Sequence, residues 1–187
     1  MKKCQYPREQ LIKILYSASQ QEVITRWQRR KFLTLLEQEL FEIKLEEPKI
    51  GVLADTHIGH KNQSLEYIKR AYEAFDRSGI TNILHVGDLL DGYPNHIPDN
   101  QKQNYCRKEE YPTGFTNYVI FGNHEELFEL VGIDLYQELL RYRDDFIPLG
   151  TGYGYVTWKN KKIALKHKTR INQNPVVLRD CDVYLEG

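Results

Sequence analysis

Four short groups of polar residues along the chain have the types and spacing of metal ligands. They are Asp55–His57, Gly87–Asp91, Gly122–Glu125 and the isolated His167. Carboxylate and carboxamide oxygens suit hard divalent cations, and neutral imidazole suits first-row transition metals. Each group alone is a weak signal, because short polar turns are common in loops. Together they indicate a site for two divalent cations that share a bridging carboxylate.

The elements that must position these groups are short strands. Apolar, β-branched runs at residues 49–54, 82–86 and 118–121 predict strands, and each runs into one of the first three groups. A fourth predicted strand, at residues 163–166, ends at His167. Ligands in α/β sheets gather beyond the carboxyl ends of the strands, so we expect the four groups to converge.

Helices are predicted between these strands. Ser64 is the expected N-cap of a helix whose apolar face includes Leu65 and Phe75, and Gly79 is its expected stop. A second amphipathic helix is predicted at residues 125–143.

The C-terminal part predicts antiparallel strands. Residues 153–158 and 163–166 flank a hairpin turn at residues 159–162, and residues 182–186 form the last predicted strand. The glycine-rich stretch at residues 150–154 predicts a turn between strands, because it lacks the helix and Lys-Ser/Thr of a phosphate loop.

Residues 1–48 predict an N-terminal helical extension, followed by an α/β domain at residues 49–187. Pro7 suits a helix start, and Pro48 marks the predicted boundary. A basic cluster at residues 26–31 could contact a phosphate backbone, as in a helix-turn-helix module. A solvated helix face is the more usual role of such a charge run.

The ligand groups resemble the motifs of the calcineurin-like metallophosphoesterases, which read D-x-H, G-D-x-x-D, G-N-H-D/E and H. The resemblance covers residues 49–187, and the first three motifs match at every defining position. It implies an α/β fold of two facing mixed β-sheets flanked by helices. It also implies two divalent metal ions, with Mn as the first expectation and Fe, Zn or Ni as alternatives.

The same resemblance implies a role for each metal ligand. Asp55 and His57 would bind one ion, Asp88 would bridge both, and Asn123 and His167 would bind the second.

His124 resembles the family's general acid or transition-state cation at the leaving oxygen, and Asp91 resembles the carboxylate that orients it. The implied reaction is phosphoester hydrolysis by a hydroxide that bridges the two ions. Within the family the motifs look most like those of double-strand-break repair nucleases. They therefore favour a phosphodiester substrate, with nucleic acid as one candidate.

Two features depart from the family pattern. The fifth motif, G-H-x-H, is expected to begin at Gly187, and its histidines are not in this sequence. A trimmed form of a longer enzyme is the favoured explanation, and natural truncation or completion by a partner chain are the others. The residue after His167 is usually Gly, whereas here it is Lys168, which could neutralise a substrate phosphate or crowd the site.

Three further residues are candidates for the site. His60 could reach a substrate phosphate, although a solvent-exposed loop histidine is the simpler interpretation. Tyr93 could stack on a base, although it is only one of 13 tyrosines. His85 lies inside a predicted strand and is expected to be a satisfied core histidine.

Composition limits the class of protein. Lys plus Arg and Asp plus Glu are both 26, so no global charge field indicates a nucleic-acid or basic partner. The three cysteines are far apart, which predicts a reducing cytoplasm, and no signal peptide or membrane span is predicted. The oligomeric state is left open. The rival functions are a catalytically impaired interaction module and, more remotely, a DNA-binding regulator.

Overall fold

The computed structural model of the chain describes residues 43–60, 62–92, 111–130, 132–133, 135, 143–169 and 181–187. The expected helices of residues 1–42, the basic cluster and Tyr93 therefore lie outside the described residues. In the described part of the chain, no helix combines the length and apolar character that crossing a membrane requires.

A four-stranded parallel sheet carries the first three ligand groups. Its strands are β2 (Gly51–Leu53), β3 (Asn82–Val86), β4 (Thr116–Phe121) and β5 (Phe146–Thr151), paired in that order. Every pair in this sheet is parallel. All five residues of β3 are buried, as expected of a strand covered on both faces.

The strand β5 was not predicted, because Pro148 and Gly150 suggested a break. β5 lies at the edge of its sheet, where a proline removes no hydrogen bond from a central ladder. The expected turn at residues 150–154 is therefore wrong in part, since it includes the end of β5 and the start of the next strand.

The second sheet is mixed. Its strands are β1 (Lys44–Leu45), β6 (Tyr153–Trp158), β7 (Lys161–Lys166) and β8 (Val183–Glu186), paired in the order β1-β6-β7-β8. β6 and β7 form the predicted antiparallel hairpin, but the other two pairs are parallel, so the antiparallel prediction is wrong for β8. Lys159 and Asn160 have φ of 48° and 63°, the left-handed values that a tight two-residue hairpin turn requires.

The predicted helical extension at residues 1–48 is wrong at Lys44–Leu45. These two residues pair with Thr157 and Trp158 and so belong to the mixed sheet. The predicted domain boundary at residue 48 stays a prediction.

Two helices belong to the described chain. α1 (Leu65–Arg77) begins after Ser64 and buries Ile68 and Tyr72 against the parallel sheet. Ser64 is its N-cap by position, but its side chain makes no capping hydrogen bond. α2 (Glu126–Leu130) is shorter than the second predicted helix, and the prediction of one continuous helix over residues 125–143 is wrong at Gly132 and Ile133, which are not helical.

The hydrophobic core has two parts, one on each face of the parallel sheet. Ile83 faces the helix side together with Tyr72 and Phe128. Leu84 and Val86 face the mixed sheet and pack with Val156, Ile163 and Leu165. The expectation of two β-sheets in an α/β fold is confirmed, with one sheet mixed and the other parallel.

Candidate metal centre

The loops that follow β2 and β3 are joined by backbone hydrogen bonds. The amide nitrogens of Asp55 and His57 donate to the carbonyl oxygens of Gly87 and Asp88, at 3.1 and 3.0 Å. Asp55, His57 and Asp88 have φ of 55°, 43° and 51°, which is uncommon for residues other than glycine. Such backbone persists where the surroundings over-determine it, and here it presents three ligand side chains from two joined loops. Two more bonds extend the pairing, Ile58 N to Leu89 O at 2.9 Å and Asp91 N to Ile58 O at 3.0 Å.

Asp88 lies at the centre of the site and is almost fully buried, with 3 % exposure. Its Oδ2 atom lies 3.6 Å from Nε2 of His167, 3.7 Å from Nε2 of His57 and 3.9 Å from Nε2 of His124. Two groups of possible ligand atoms share this carboxylate: His57 with Asp88 and His124, and Asp55 with Asp88 and His167.

The donor set fits divalent cations. The separations of 3.6–3.9 Å are too long for hydrogen bonds but close to the spacing of two ligands on one ion. Bonds of about 2.0–2.1 Å at tetrahedral angles place two ligand atoms about 3.3–3.4 Å apart. Two carboxylates and three imidazoles are a suitable mixture for first-row transition metals.

His167 is the group that the mixed sheet contributes. Its Nδ1 atom lies 3.1 Å from the carbonyl oxygen of Lys168, which can only accept, so Nδ1 donates. In the neutral ring, Nε2 therefore carries the lone pair, and it lies 3.3 Å from Oδ1 of Asp55. Burial lowers the pKa of His167, but the Lys168 carbonyl and the carboxylates of Asp88 and Asp55 outweigh it, and the pKa is raised overall.

His124 is held in a similar way by Asp91. Nδ1 donates to the Asp91 carbonyl oxygen at 2.8 Å and lies 3.4 Å from the Asp91 carboxylate. The His124 backbone N–H donates to Asp88 Oδ1 at 3.1 Å. Its ring also meets that of His57 edge to face, with centroids 4.5 Å apart. Asp91 thus orients the His124 ring mainly through its backbone carbonyl oxygen, with its carboxylate close to the same nitrogen.

Glu125 has a role that the sequence did not reveal. It is buried, and its carboxylate accepts backbone N–H bonds from Gly122 at 2.7 Å, Leu90 at 2.8 Å and Asp88 at 3.1 Å. Burial raises the pKa of Glu125 to about 7, and the Asp88 charge adds to this, while the N–H donors lower it. Glu125 therefore ties the loop after β4 to the loop after β3. Its place after Gly122-Asn123-His124 was the available signal.

Two motif glycines are required by close approach to the ligands. A Cβ on Gly122 would overlap Oδ1 of Asp88 and lie 2.6 Å from Nδ1 of His167. A Cβ on Gly87 would lie 2.5 Å from Cδ2 of His167. These glycines let strand ends from both sheets come together at the centre.

A buried polar network lies beneath the first ligand loop. The Thr56 hydroxyl bonds the Tyr111 hydroxyl and lies 2.9 Å from Nε2 of His85. It also donates to the Leu89 carbonyl oxygen at 3.2 Å. Burial lowers the pKa of His85 to about 3, with smaller contributions from His167 and His57. His85 is a core histidine as expected, although its Nδ1 has no hydrogen-bond partner among the described residues.

The other predicted site residues lie at differing distances from the centre. Asn123 is half-buried in the turn between Gly122 and His124. His60 lines a cavity that also contacts Asp55 and His57. The Lys168 side chain is exposed, and its described contact with the site is through the carbonyl oxygen. All the predicted metal ligands follow the carboxyl ends of β2, β3, β4 and β7, and their individual roles stay predictions.

Comparison with known proteins agrees with this geometry. A model of the calcineurin-like phosphoesterase family matches residues 48–183, and the chain belongs to that family. The chain is therefore a metallophosphoesterase by family, a class of metal-dependent phosphoester hydrolases. A search of curated proteins found no match. The nuclease-like branch and the explanations for the absent fifth motif stay predictions.

Proposed function

We propose that this protein hydrolyses a phosphodiester with the help of two divalent cations, Mn²⁺ foremost. The observation that carries the proposal is the buried Asp88 carboxylate shared by two groups of ligand atoms. Sharing one carboxylate lets two cations lie close together, because its negative charge offsets their repulsion.

The ligands for these ions would be the five residues that the motifs assign to metal binding, namely Asp55, His57, Asp88, Asn123 and His167. When bound, the cations would neutralise phosphoryl charge and lower the pKa of a reacting water. One described group of candidate ligands contains His57, Asp88 and His124. The other contains Asp55, Asp88 and His167.

His124 is the proposed general acid. Its Nδ1 proton is engaged by the Asp91 carbonyl oxygen, so a second proton would reside on Nε2, the atom that faces the centre. The Asp91 carboxylate also lies 3.4 Å from Nδ1 of this ring. Transfer of the Nε2 proton to the leaving oxygen would leave the neutral imidazole with Nδ1 still donating to Asp91.

A diester is favoured over a monoester by the surroundings of the centre. The cavity that contacts Asp55, His57 and His124 continues along apolar side chains of β2 and α1, including Leu53, Ile68 and Ala71. An apolar wall suits a second ester substituent better than it suits the additional charge of a phosphomonoester. Nucleic acid, the substrate class suggested by the motifs, remains one candidate diester.

The test is turnover of bis-p-nitrophenyl phosphate by the full chain with Mn²⁺, compared with Zn²⁺, Fe²⁺ and Ni²⁺. We expect His124→Ala to lower kcat by about 10²–10⁴-fold, the usual contribution of a general acid. Arg70→Ala is the matched control, because its exposed side chain pairs with Glu66 and lies outside both ligand groups.

Calorimetric titration with Mn²⁺ separates the possible roles of His124. Unchanged Mn²⁺ affinity in His124→Ala, together with the loss of kcat, supports the general acid. An equal loss of Mn²⁺ affinity would make His124 a ligand instead. Tight Mn²⁺ binding by the unaltered chain without turnover of this diester would overturn the proposal in favour of the interaction module.

A further inference from the structure

A cavity beside the metal centre suggests which part of the substrate the protein recognises. Its volume is about 510 Å³, within the usual range for small-molecule sites. Asp55, His57 and His124 line one side, and the first two turns of α1 line the other. We infer that this cavity binds a planar aromatic ester substituent of the phosphodiester, so the inference rests on the proposed function.

The chemistry of the α1 side favours an uncharged, flat group. Ile68 and Ala71 present aliphatic surface, and Leu53 extends it from β2. Tyr67 stands at the same wall with 70 % of its surface exposed. An exposed tyrosine beside an aliphatic wall provides a face on which an aromatic ring can stack.

Two polar side chains of the cavity are held in defined orientations. Gln63 accepts the Gly59 N–H through Oε1 at 2.6 Å, so its amide group is fixed as a donor. His60 accepts the Asn62 N–H through Nδ1 at 3.1 Å, so neutral His60 carries its proton on Nε2. Both therefore offer donors to an acceptor atom on the bound group, such as a ring nitrogen or a carbonyl oxygen.

The position of the cavity links it to the reacting phosphate. The same residues that line its inner end, Asp55 and His57, belong to the two ligand groups. A phosphodiester whose phosphorus lies at the centre would direct one of its two substituents along α1. An aryl group or a nucleoside base has the size and flatness to occupy that space.

The experiment compares phenylphosphonate with methylphosphonate, measured by calorimetric titration of the full chain in Mn²⁺. Both ligands carry a phosphoryl group for the metal centre, and only the first carries a ring. We expect phenylphosphonate to bind roughly tenfold more tightly, as expected for burial of a small apolar ring.

Two variants locate the ring. Ala71→Leu fills the α1 wall, and Tyr67→Ala removes the stacking face at an exposed position where folding is not threatened. Each should reduce the preference for the phenyl ligand to about threefold or less while methylphosphonate binding stays unchanged. Arg70→Ala is the matched control, because Arg70 lies on α1 and pairs with Glu66 outside the cavity.

Three results would count against the inference, and they differ in meaning. Equal binding of the two phosphonates by the unaltered chain would overturn it while leaving the metal centre intact. A phenyl preference that survives both variants would place the ring elsewhere and also overturn it. Failure of both phosphonates to bind would overturn it together with the proposed function.

Discussion

The two sheets contribute to the metal centre in different ways. The parallel sheet provides Asp55, His57, Asp88 and His124 from three successive loops, whereas among the described residues the mixed sheet provides only His167. The parallel-sheet loops are tied to one another by backbone hydrogen bonds and by the Glu125 carboxylate. His167 is held by its N–H bond to Gly152, between β5 and β6, and by its ring bond to the Lys168 carbonyl oxygen, and its ring also contacts Asp55.

This difference separates two tasks within one site. The loops of the parallel sheet fix the geometry of several ligands at once, and the hydrogen bonds that hold these loops are polar and buried. Between the sheets the contacts are apolar, made by side chains such as Leu84 and Val156. Substitutions on the parallel side should therefore alter metal binding first, and substitutions between the sheets should alter stability first.

The strongest contrast is between Asp88→Asn and His167→Asn. Asp88→Asn removes the charge that both ligand groups share, so Mn²⁺ affinity should fall by at least about a hundredfold. His167→Asn removes one donor from one group and should cost roughly tenfold. Electron paramagnetic resonance of free Mn²⁺ measures both. Equal losses would contradict the idea that Asp88 serves two ions, and thermal unfolding without metal serves as the folding control.

A glycine pair tests whether the two regions respond differently to the same added methyl group. Gly122→Ala would press Cβ into the Asp88 carboxylate and should lower Mn²⁺ affinity by about tenfold or more. Gly154→Ala would place Cβ 2.7 Å from Leu149 Cβ and 2.8 Å from Ile120 Cγ2, between the sheets. It should lower the free energy of unfolding by about 1–3 kcal/mol. Mn²⁺ titration should show a loss mainly in Gly122→Ala, and urea unfolding without metal should show a loss mainly in Gly154→Ala. If both variants lose Mn²⁺ affinity and stability alike, the two regions do not have separate roles.

The smallest expected effect concerns the buried network under the parallel-sheet loops. Burial lowers the pKa of folded His85 to about 3, while the unfolded value is about 6.5. Between pH 6.5 and pH 3, His85 is therefore protonated in the unfolded chain but neutral in the folded protein. The free energy of unfolding falls as the pH drops below 6.5. From pH 7 to pH 5 this one group should cost about 2 kcal/mol.

Comparison with His85→Gln isolates that contribution, because Glu125 acts with the opposite sign. The raised pKa of Glu125 makes its protonation favour the folded state as the pH falls below about 7, so the two groups partly cancel. Urea unfolding at pH 7 and pH 5 should show a shallower acid loss, or even a gain, in His85→Gln. An unchanged pH dependence would mean that His85 is already protonated or solvated in the folded protein.

Local patterns predicted the elements that lie in the sheet interior. β3 and β6 have the predicted bounds, because an uninterrupted apolar run and a hairpin turn are local signals. β5 was missed because Pro148 is compatible with a strand at a sheet edge or beside a bulge, and both features of β5 depend on the whole topology. β1 was missed because its partner, β6, lies more than 100 residues away in sequence.

The site was predictable in its residue types but not in its grouping. The motifs identified the residues that meet around Asp88, whereas the pairing of His57 with His124 and of Asp55 with His167 depends on side-chain orientation. The motif marks Glu125 but not the backbone N–H groups that it binds, and no spacing rule reveals the hydroxyl contacts of Thr56. Burial of such groups follows only from the packed structure.

The four backbone hydrogen bonds between the loops after β2 and β3 also bear on how this site could be re-engineered. They are made by main-chain atoms, so they do not depend on which side chains occupy positions 55, 57 and 88. Ligand side chains at these positions could be exchanged to favour harder or softer ions while the loop frame keeps its shape. The left-handed φ values would restrict the exchange to residues such as Asn, Asp and His, which tolerate that backbone best. The loop backbone thus stays fixed, and the choice of ligand residue at these three positions sets which metal ion the site prefers.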